Sequence, residues 1–415
     1  MSYVSGGSYH TCSWGRQKSL CCQVSKPLPP PLVCELTTCD IDPWSCDDDD
    51  GESIDVPEKR DLVDSIFQSD QKGDVSILEK RYKERPISIW LFDGRLWSQT
   101  SLAYVLGSWL WRRARENGNN RYYALRSQQC DNAQVEPRPI TEGDLVLPKG
   151  QQVEHRVPLS TSALFIASCN HGRMWNRSPK GKIIGGKPSG QLTPEGRRTR
   201  TPAIRSEFWR NVWNDANALP AGLPPVTPTS PEMRRPADRI YEALGSATNL
   251  EPLTFLDGAI NRAKGCIEGY KRPMSEKKLK RYLRNANQGT DSQRQLAVQT
   301  FLAPLRETRG VFQYLRDVHV YTTMDNIVST VYRELRLIEE HIFEARGISD
   351  HWTEWYPYYF SEVSAFARDW AAEHIATIRT FYRENPTAGN RDQVLKELVE
   401  LEDSVKGWKY MFEDQ

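Results

Sequence analysis

The stretch VSAFARDWAAEHIATIRTFYRENP, residues 363–386, decides the fold class. Val363, Phe366, Trp370, His374 and Ile378 recur every three or four residues, which puts them on one face of a helix, and Asn385-Pro386 ends the pattern. The same period runs to either side. Leu395, Leu398, Leu401, Val405 and Trp408 form a later stripe, and Val331, Leu335, Ile338 and Ile342 an earlier one that Gly347 is expected to stop. Further upstream Leu253, Leu256, Ile260, Ala263 and Ile267 also step by three and four, behind a segment with Pro236 suited to a first helical position and Gly245 to a C-cap. Residues 236–415 therefore read as a helical domain, an antiparallel bundle large enough to bury its own core.

Before Pro236 the pattern changes. Residues 215–235 are a Pro-rich linker. Residues 83–214 read as a small mixed α/β domain: Ile87, Ile89, Leu91 and Trp97, then Leu102, Tyr104, Leu106, Trp109 and Trp111, predict strands with a short helix. VEHRVPL is strand-like, Ser162 to Trp175 can form a helix, and SEFWRNVWN, residues 206–214, reads as one helix capped by Ser206. The fold class is thus α+β, mostly α, behind an N-terminal segment of another kind.

That segment is cysteine-rich over 1–46 and acidic over 47–82. Six of the nine cysteines are Cys12, Cys21, Cys22, Cys34, Cys39 and Cys46. So dense a cluster in Ser-, Gly- and Pro-rich sequence reads as a disulfide framework; a zinc knuckle is the alternative, with spacings that lack paired CxxC motifs. Cys130 and Cys169 could form a bridge, which would leave Cys266 single and buried on its helix. Asp47 to Asp50 are four consecutive aspartates, a run that repels itself and predicts a disordered linker. Lys59-Arg60 and Lys80-Arg81 lie within it or at its edge, where a kexin-like protease would cut; a solvated linker with ordinary charges is the alternative. The opening residues have neither a basic region nor an apolar one, so no signal peptide is read there, and disulfides then imply a true start further upstream. Secretion is the expected localisation. Net charge is +1 and mean hydropathy −0.64, and no apolar run approaches the roughly 18 residues of a membrane helix.

One constellation could carry chemistry. Glu154-His155-Arg156-Val157-Pro158 at a strand end, followed by a helix bearing Asn170 and His171, has the layout of a ββα-metal nuclease. His155 would be the general base, Glu154 and His171 ligands of a divalent metal (Mg or Zn), and Asn170 a further ligand or a catalytic orienter, with the metal stabilising charge on a scissile phosphate. Between Arg173 and Arg205 the only acid is Glu195, so Arg173, Arg177, Lys180, Lys182, Arg197 and Arg198 would hold a nucleic-acid backbone. Read structurally, His155 is a buried histidine satisfied by its neighbours, and the basic stretch is a solvated loop. Glu340-His341 and His374 lack a second ligand one turn away and read as contacts between helices. The aromatic run from His351 to Phe360 reads as a core corner. Asn176-Arg177-Ser178 is a glycosylation sequon weakened by Pro179.

Several runs carry a family resemblance. CSWGRQKSLCCQ (12–23), LVCELTTCDIDPWSCDDDDGE (32–52) and LEKR (78–81) resemble the region after the catalytic domain of fungal killer-toxin-like class V chitinases. QVEHRVPL (152–159) and RPADRIYEALGSATNLEPLTFLDGAINRAKG (235–265) resemble the C-terminal extension of those proteins. The resemblance implies a chitinase-associated protein, with chitin or a chitinase chain as partner. The DxxDxDxE motif of the family 18 glycosidase barrel does not occur in this chain, so chitin hydrolysis by it is not expected.

Overall fold

The computed structural model describes residues 82–83, 86–105, 107–116, 120–126, 134–175, 196–410 and 412. The six N-terminal cysteines, the acidic run, both Lys-Arg pairs, Cys130, Arg177, Lys180, Lys182 and the sequon lie outside them. The described chain is mostly helical, with a small mixed sheet and a helical C-terminal region. None of its helices is long and apolar enough to cross a membrane.

Two short antiparallel pairs come first: β1 (Tyr82–Lys83) with β4 (Tyr104–Val105), and β2 (Pro86–Trp90) with β3 (Leu96–Thr100). Helix α1 (Gly107–Glu116) follows, then β5 (Arg121–Leu125), β6 (Val135–Pro139) and β7 (Gln151–His155). Helix α2 (Ser160–His171) stops at Gly172, whose positive φ of 62° lets its N–H reach back to the Ser168 carbonyl. Helix α3 (Ser206–Asn211) is capped at Arg205 rather than Ser206, whose hydroxyl instead meets Asn170.

Beyond the Pro-rich segment, α4 (Pro236–Leu244) begins on Pro236 as expected. The next element is not helical. Leu253 to Asp257 form β8, which lies between β5 and β7 in a four-stranded sheet of order β6-β5-β8-β7. β8 runs parallel to β5 and antiparallel to β7, with His155 opposite Leu253 and Glu154 opposite Thr254. Leu253 and Leu256 share the helical period, but Leu253, Thr254, Phe255 and Leu256 are all buried, so both faces of this short run are covered. The helical stripe starts only at α5 (Gly258–Glu268), where the Asp257 carboxylate caps the Ala259 N–H.

The remaining helices are α6 (Glu276–Gln288), α7 (Asp291–Leu315), α8 (Val318–His341), α9 (Ile348–Glu384) and α10 (Arg391–Val405). Gly347 does not stop α8, which ends at His341. It stands at φ 86° immediately before α9, and a Cβ there would fall 2.6 Å from Thr201 Cγ2. The aromatic run opens α9 instead of turning a corner, with Trp352, Trp355, Tyr359 and Phe360 all in the core. One apolar cluster extends from Leu91 to Phe412 and takes in Trp209, Trp213, Leu219 and Val226 on the way. A second, around Trp111 and Phe255, fills the space between α1 and the sheet.

Candidate functional site

The EHxxP segment ends β7 and turns into α2, so its three polar residues enter the interior in succession. Glu154, His155 and Arg156 are all buried. An ionised carboxylate there needs a counter-charge, and α5 supplies one. Lys264 Nζ lies 2.5 Å from Glu154 Oε1 and 3.0 Å from Glu268 Oε2, and also donates to the His155 carbonyl at 3.4 Å. The other Glu268 oxygen accepts from Tyr410 Oη at 2.5 Å, and the Glu268 carbonyl from Tyr359 Oη at 2.8 Å. The cluster thus ties the end of β7 to α5, to α9 and to the chain beyond α10. Burial pushes the Glu268 carboxyl up to about 7, although Lys264 and the Tyr410 hydroxyl pull it down. Burial works against the charge on Lys264, but the two carboxylates outweigh it and hold the ammonium above its ordinary value.

His155 sits among apolar and aromatic neighbours. Its ring meets Tyr104 edge-on at 4.8 Å, and its Cδ2 would lie 3.3 Å from a Cβ on Gly245. Gly245 holds φ 119°, so the backbone of α4's end passes close over the imidazole. Arg156 Nη1 donates to the carbonyls of Glu251 and Leu253, fastening β7 to the start of β8.

The second half of the expected site is engaged elsewhere. Asn170 Oδ1 accepts from the Phe92 N–H at 2.5 Å, while its amide donates to the Ile204 carbonyl and Ser206 Oγ. This side chain therefore staples the β2–β3 hairpin loop and the entry to α3 onto α2. His171 is half-buried with its ring edge-on to Phe92. It ends α2, about 17 Å of helix from the residue at its start. Among the described residues no three His, Cys, Asp or Glu side chains converge on one point where a metal could sit. The Glu154 carboxylate faces an ammonium, the wrong neighbour for a cation ligand.

The basic stretch is partly neutralised within the molecule. Arg197 pairs with Glu354 at 2.6 Å and stacks over Tyr358, and the Arg200 N–H donates to the same carboxylate. Arg173 and Arg198 bridge backbone to backbone, with Arg198 exposed. A shallow groove beside them is lined by Arg197, Arg200, Asp350 and Glu354 among others, so a polyanion there would meet acids as well as bases.

His374 Nε2–H donates to the Phe301 carbonyl at 2.9 Å, joining α9 to α7, and burial pushes its imidazole down to about 4. Glu340 and His341, expected as contacts between helices, are instead exposed at the end of α8, and Glu340 pairs with Arg336 on the same helix. The expected Cys130–Cys169 bridge does not form: Cys169 is a free, buried thiol on α2, packed within the core. Cys266, expected to be single, is disulfide-bonded.

Lys264, Glu268 and Tyr410 were not singled out in the sequence. A signal existed for the first two. Lys264 lies between Ile260 and Ile267 on the apolar face of α5, with an acid one turn later. No family model matches this chain, and the comparisons with curated proteins and with solved structures found no match.

Proposed function

We propose that this chain is a non-catalytic module: the C-terminal part of a secreted, chitinase- or killer-toxin-like precursor, freed by kexin-like cleavage at Lys59-Arg60 or Lys80-Arg81. The sequence resemblance to the extensions of those chitinases supports the lineage. The observation that favours a structural or partner-binding role over nuclease chemistry is the state of the EHxxP segment. A general base has to reach water and substrate, whereas His155 lies under Gly245 and against Tyr104. A metal-binding carboxylate has to be available, whereas Glu154 is committed to Lys264. The segment acts as the joint between sheet and helices.

Metal titration tests this reading. Thermal unfolding of the full-length chain with Mg²⁺, Mn²⁺ or Zn²⁺ is expected to show no saturable rise in Tm, because a ligand that binds only the folded state would raise it. A saturable shift lost in both Glu154→Gln and His171→Ala would favour the nuclease reading instead. For processing, N-terminal sequencing of the secreted protein should give Asp61 or Tyr82 as the first residue.

A further inference from the structure

The Lys264 cluster holds more than an ion pair requires. One buried amine lies against two buried carboxyls, at 2.5 Å and 3.0 Å, and the side chains of Lys264, Glu154 and Glu268 are only 1%, 9% and 2% exposed. Glu268 is oriented by the Tyr410 hydroxyl on its other oxygen. An amine and a carboxyl in contact, beside a second carboxyl that can carry a proton and with little access for water, are the components of an amide condensation. Fixed contact replaces the bimolecular encounter that makes such reactions slow, and a small shift of Nζ from the edge of the Glu154 carboxyl to its face would bring the nitrogen against the carboxyl carbon.

We propose that Lys264 and Glu154 condense into an intramolecular isopeptide bond that covalently links β7 to α5, with Glu268 as the proton carrier. Glu154 is the acceptor because it is the nearer carboxyl and lies on a different element. Glu268, one turn along the same helix and held by Tyr410, is placed to serve both partners. The ion pair first relaxes by passing a proton from the ammonium to the Glu154 carboxylate along their short contact, giving a neutral amine and a neutral acid. The Nζ lone pair then attacks the Glu154 carboxyl carbon, forming the C–N bond. Glu268 hands its proton to the departing hydroxyl and takes one from the nitrogen. The C–O bond breaks, one water leaves, and Glu268 ends as it began. No oxidant, metal or nucleotide is needed.

The resting state favours the ion pair, since the carboxylates hold the Lys264 ammonium above its ordinary value, so the bond forms slowly during maturation. Glu268 is suited to its part because burial raises its carboxyl to about 7, so that near neutral pH it can both release and take up a proton. This inference does not depend on the proposed function.

Intact mass spectrometry of the folded, full-length chain, reduced and denatured just before measurement, tests it. The expected mass is that of the sequence less one water, and digestion should give a branched peptide joining Glu154 to Lys264. In Glu268→Gln, which keeps the size and an acceptor for Tyr410 but carries no transferable proton, the chain should fold and retain the full mass. A wild-type chain at full mass after prolonged incubation, with residues 154 and 264 on separate peptides, would overturn the proposal. A Glu268→Gln chain that links as fast as wild type would overturn the role given to Glu268. Should that variant not fold, the wild-type mass alone decides.

Discussion

At the scale of single residues, buried charge sets the most sensitive positions. Lys264 lies between Glu154 and Glu268, in ion-pair contact with both. Lys264→Met would leave two sealed carboxyls facing each other, and breaking a buried pair in this way costs about 3–5 kcal/mol. A chemical denaturation midpoint unchanged from wild type would show that the cluster contributes little. The pH dependence has a definite sign. Burial pushes Glu268 and Glu307 each up to about 7 from 4.5, with Arg262 pulling Glu307 back. Between pH 4.5 and 7 the unfolded chain gives up protons that these groups keep when folded, so their contribution is complete below 4.5 and is lost as pH rises to 7. His374 acts oppositely. Its folded value near 4 means the unfolded imidazole takes up a proton first, so its contribution is lost as pH falls from 6.5. Glu307→Gln should therefore flatten the fall in stability between pH 4.5 and 7, read as denaturation midpoint against pH. An unaltered slope would remove Glu307 from the explanation.

At the scale of elements, the long helices were the legible part. The stripe of α9 predicted its buried face because period and burial coincide: Val363, Phe366, Trp370, His374 and Ile378 all face the core. In α10 the buried positions are Val394, Leu398, Leu401 and Val405, so the expected Leu395 is only half-buried and Trp408 lies beyond the helix. The failures came where a short run satisfies two periods. Leu253 and Leu256 fit a helix and a fully covered strand alike, and only the distant partners β5 and β7 decide between them. Gly347 is legible as a breaker, but it serves the start of α9 and not the end of α8, because its positive φ and the nearby Thr201, far away in sequence, demand a glycine there. Gly347→Ala must adopt positive φ and push that methyl aside. It should cost about 1 kcal/mol or more, read as a drop in Tm; a neutral result would mean the α8–α9 junction yields easily. EHxxP was legible as a motif, yet not as a site. Its fate rests on Lys264 and Gly245, which local sequence does not connect to it.

At the scale of the whole molecule, the sheet and the helices share one interior. β8 comes from beyond the Pro-rich segment and lies inside the sheet, and the main apolar cluster crosses from one side to the other. The segment 215–235 is itself seated on that core, through Leu219 and Val226 and through Arg239, which donates to the carbonyls of Met233 and Pro224 and pairs with Glu334. Residues 86–410 should therefore unfold in a single transition, with near-UV and far-UV circular dichroism coincident in denaturant. Two separated transitions would mean that the sheet and the bundle are independent units.

The most direct measurement is a nuclease assay on the purified full-length chain, with supercoiled DNA and total RNA, with and without Mg²⁺, beside His155→Ala. A structural EHxxP joint predicts no metal-dependent cleavage by the folded wild type, and a His155→Ala chain that differs only in a lower Tm. Metal-dependent cleavage that disappears in a folded His155→Ala chain would contradict it and make His155 the base.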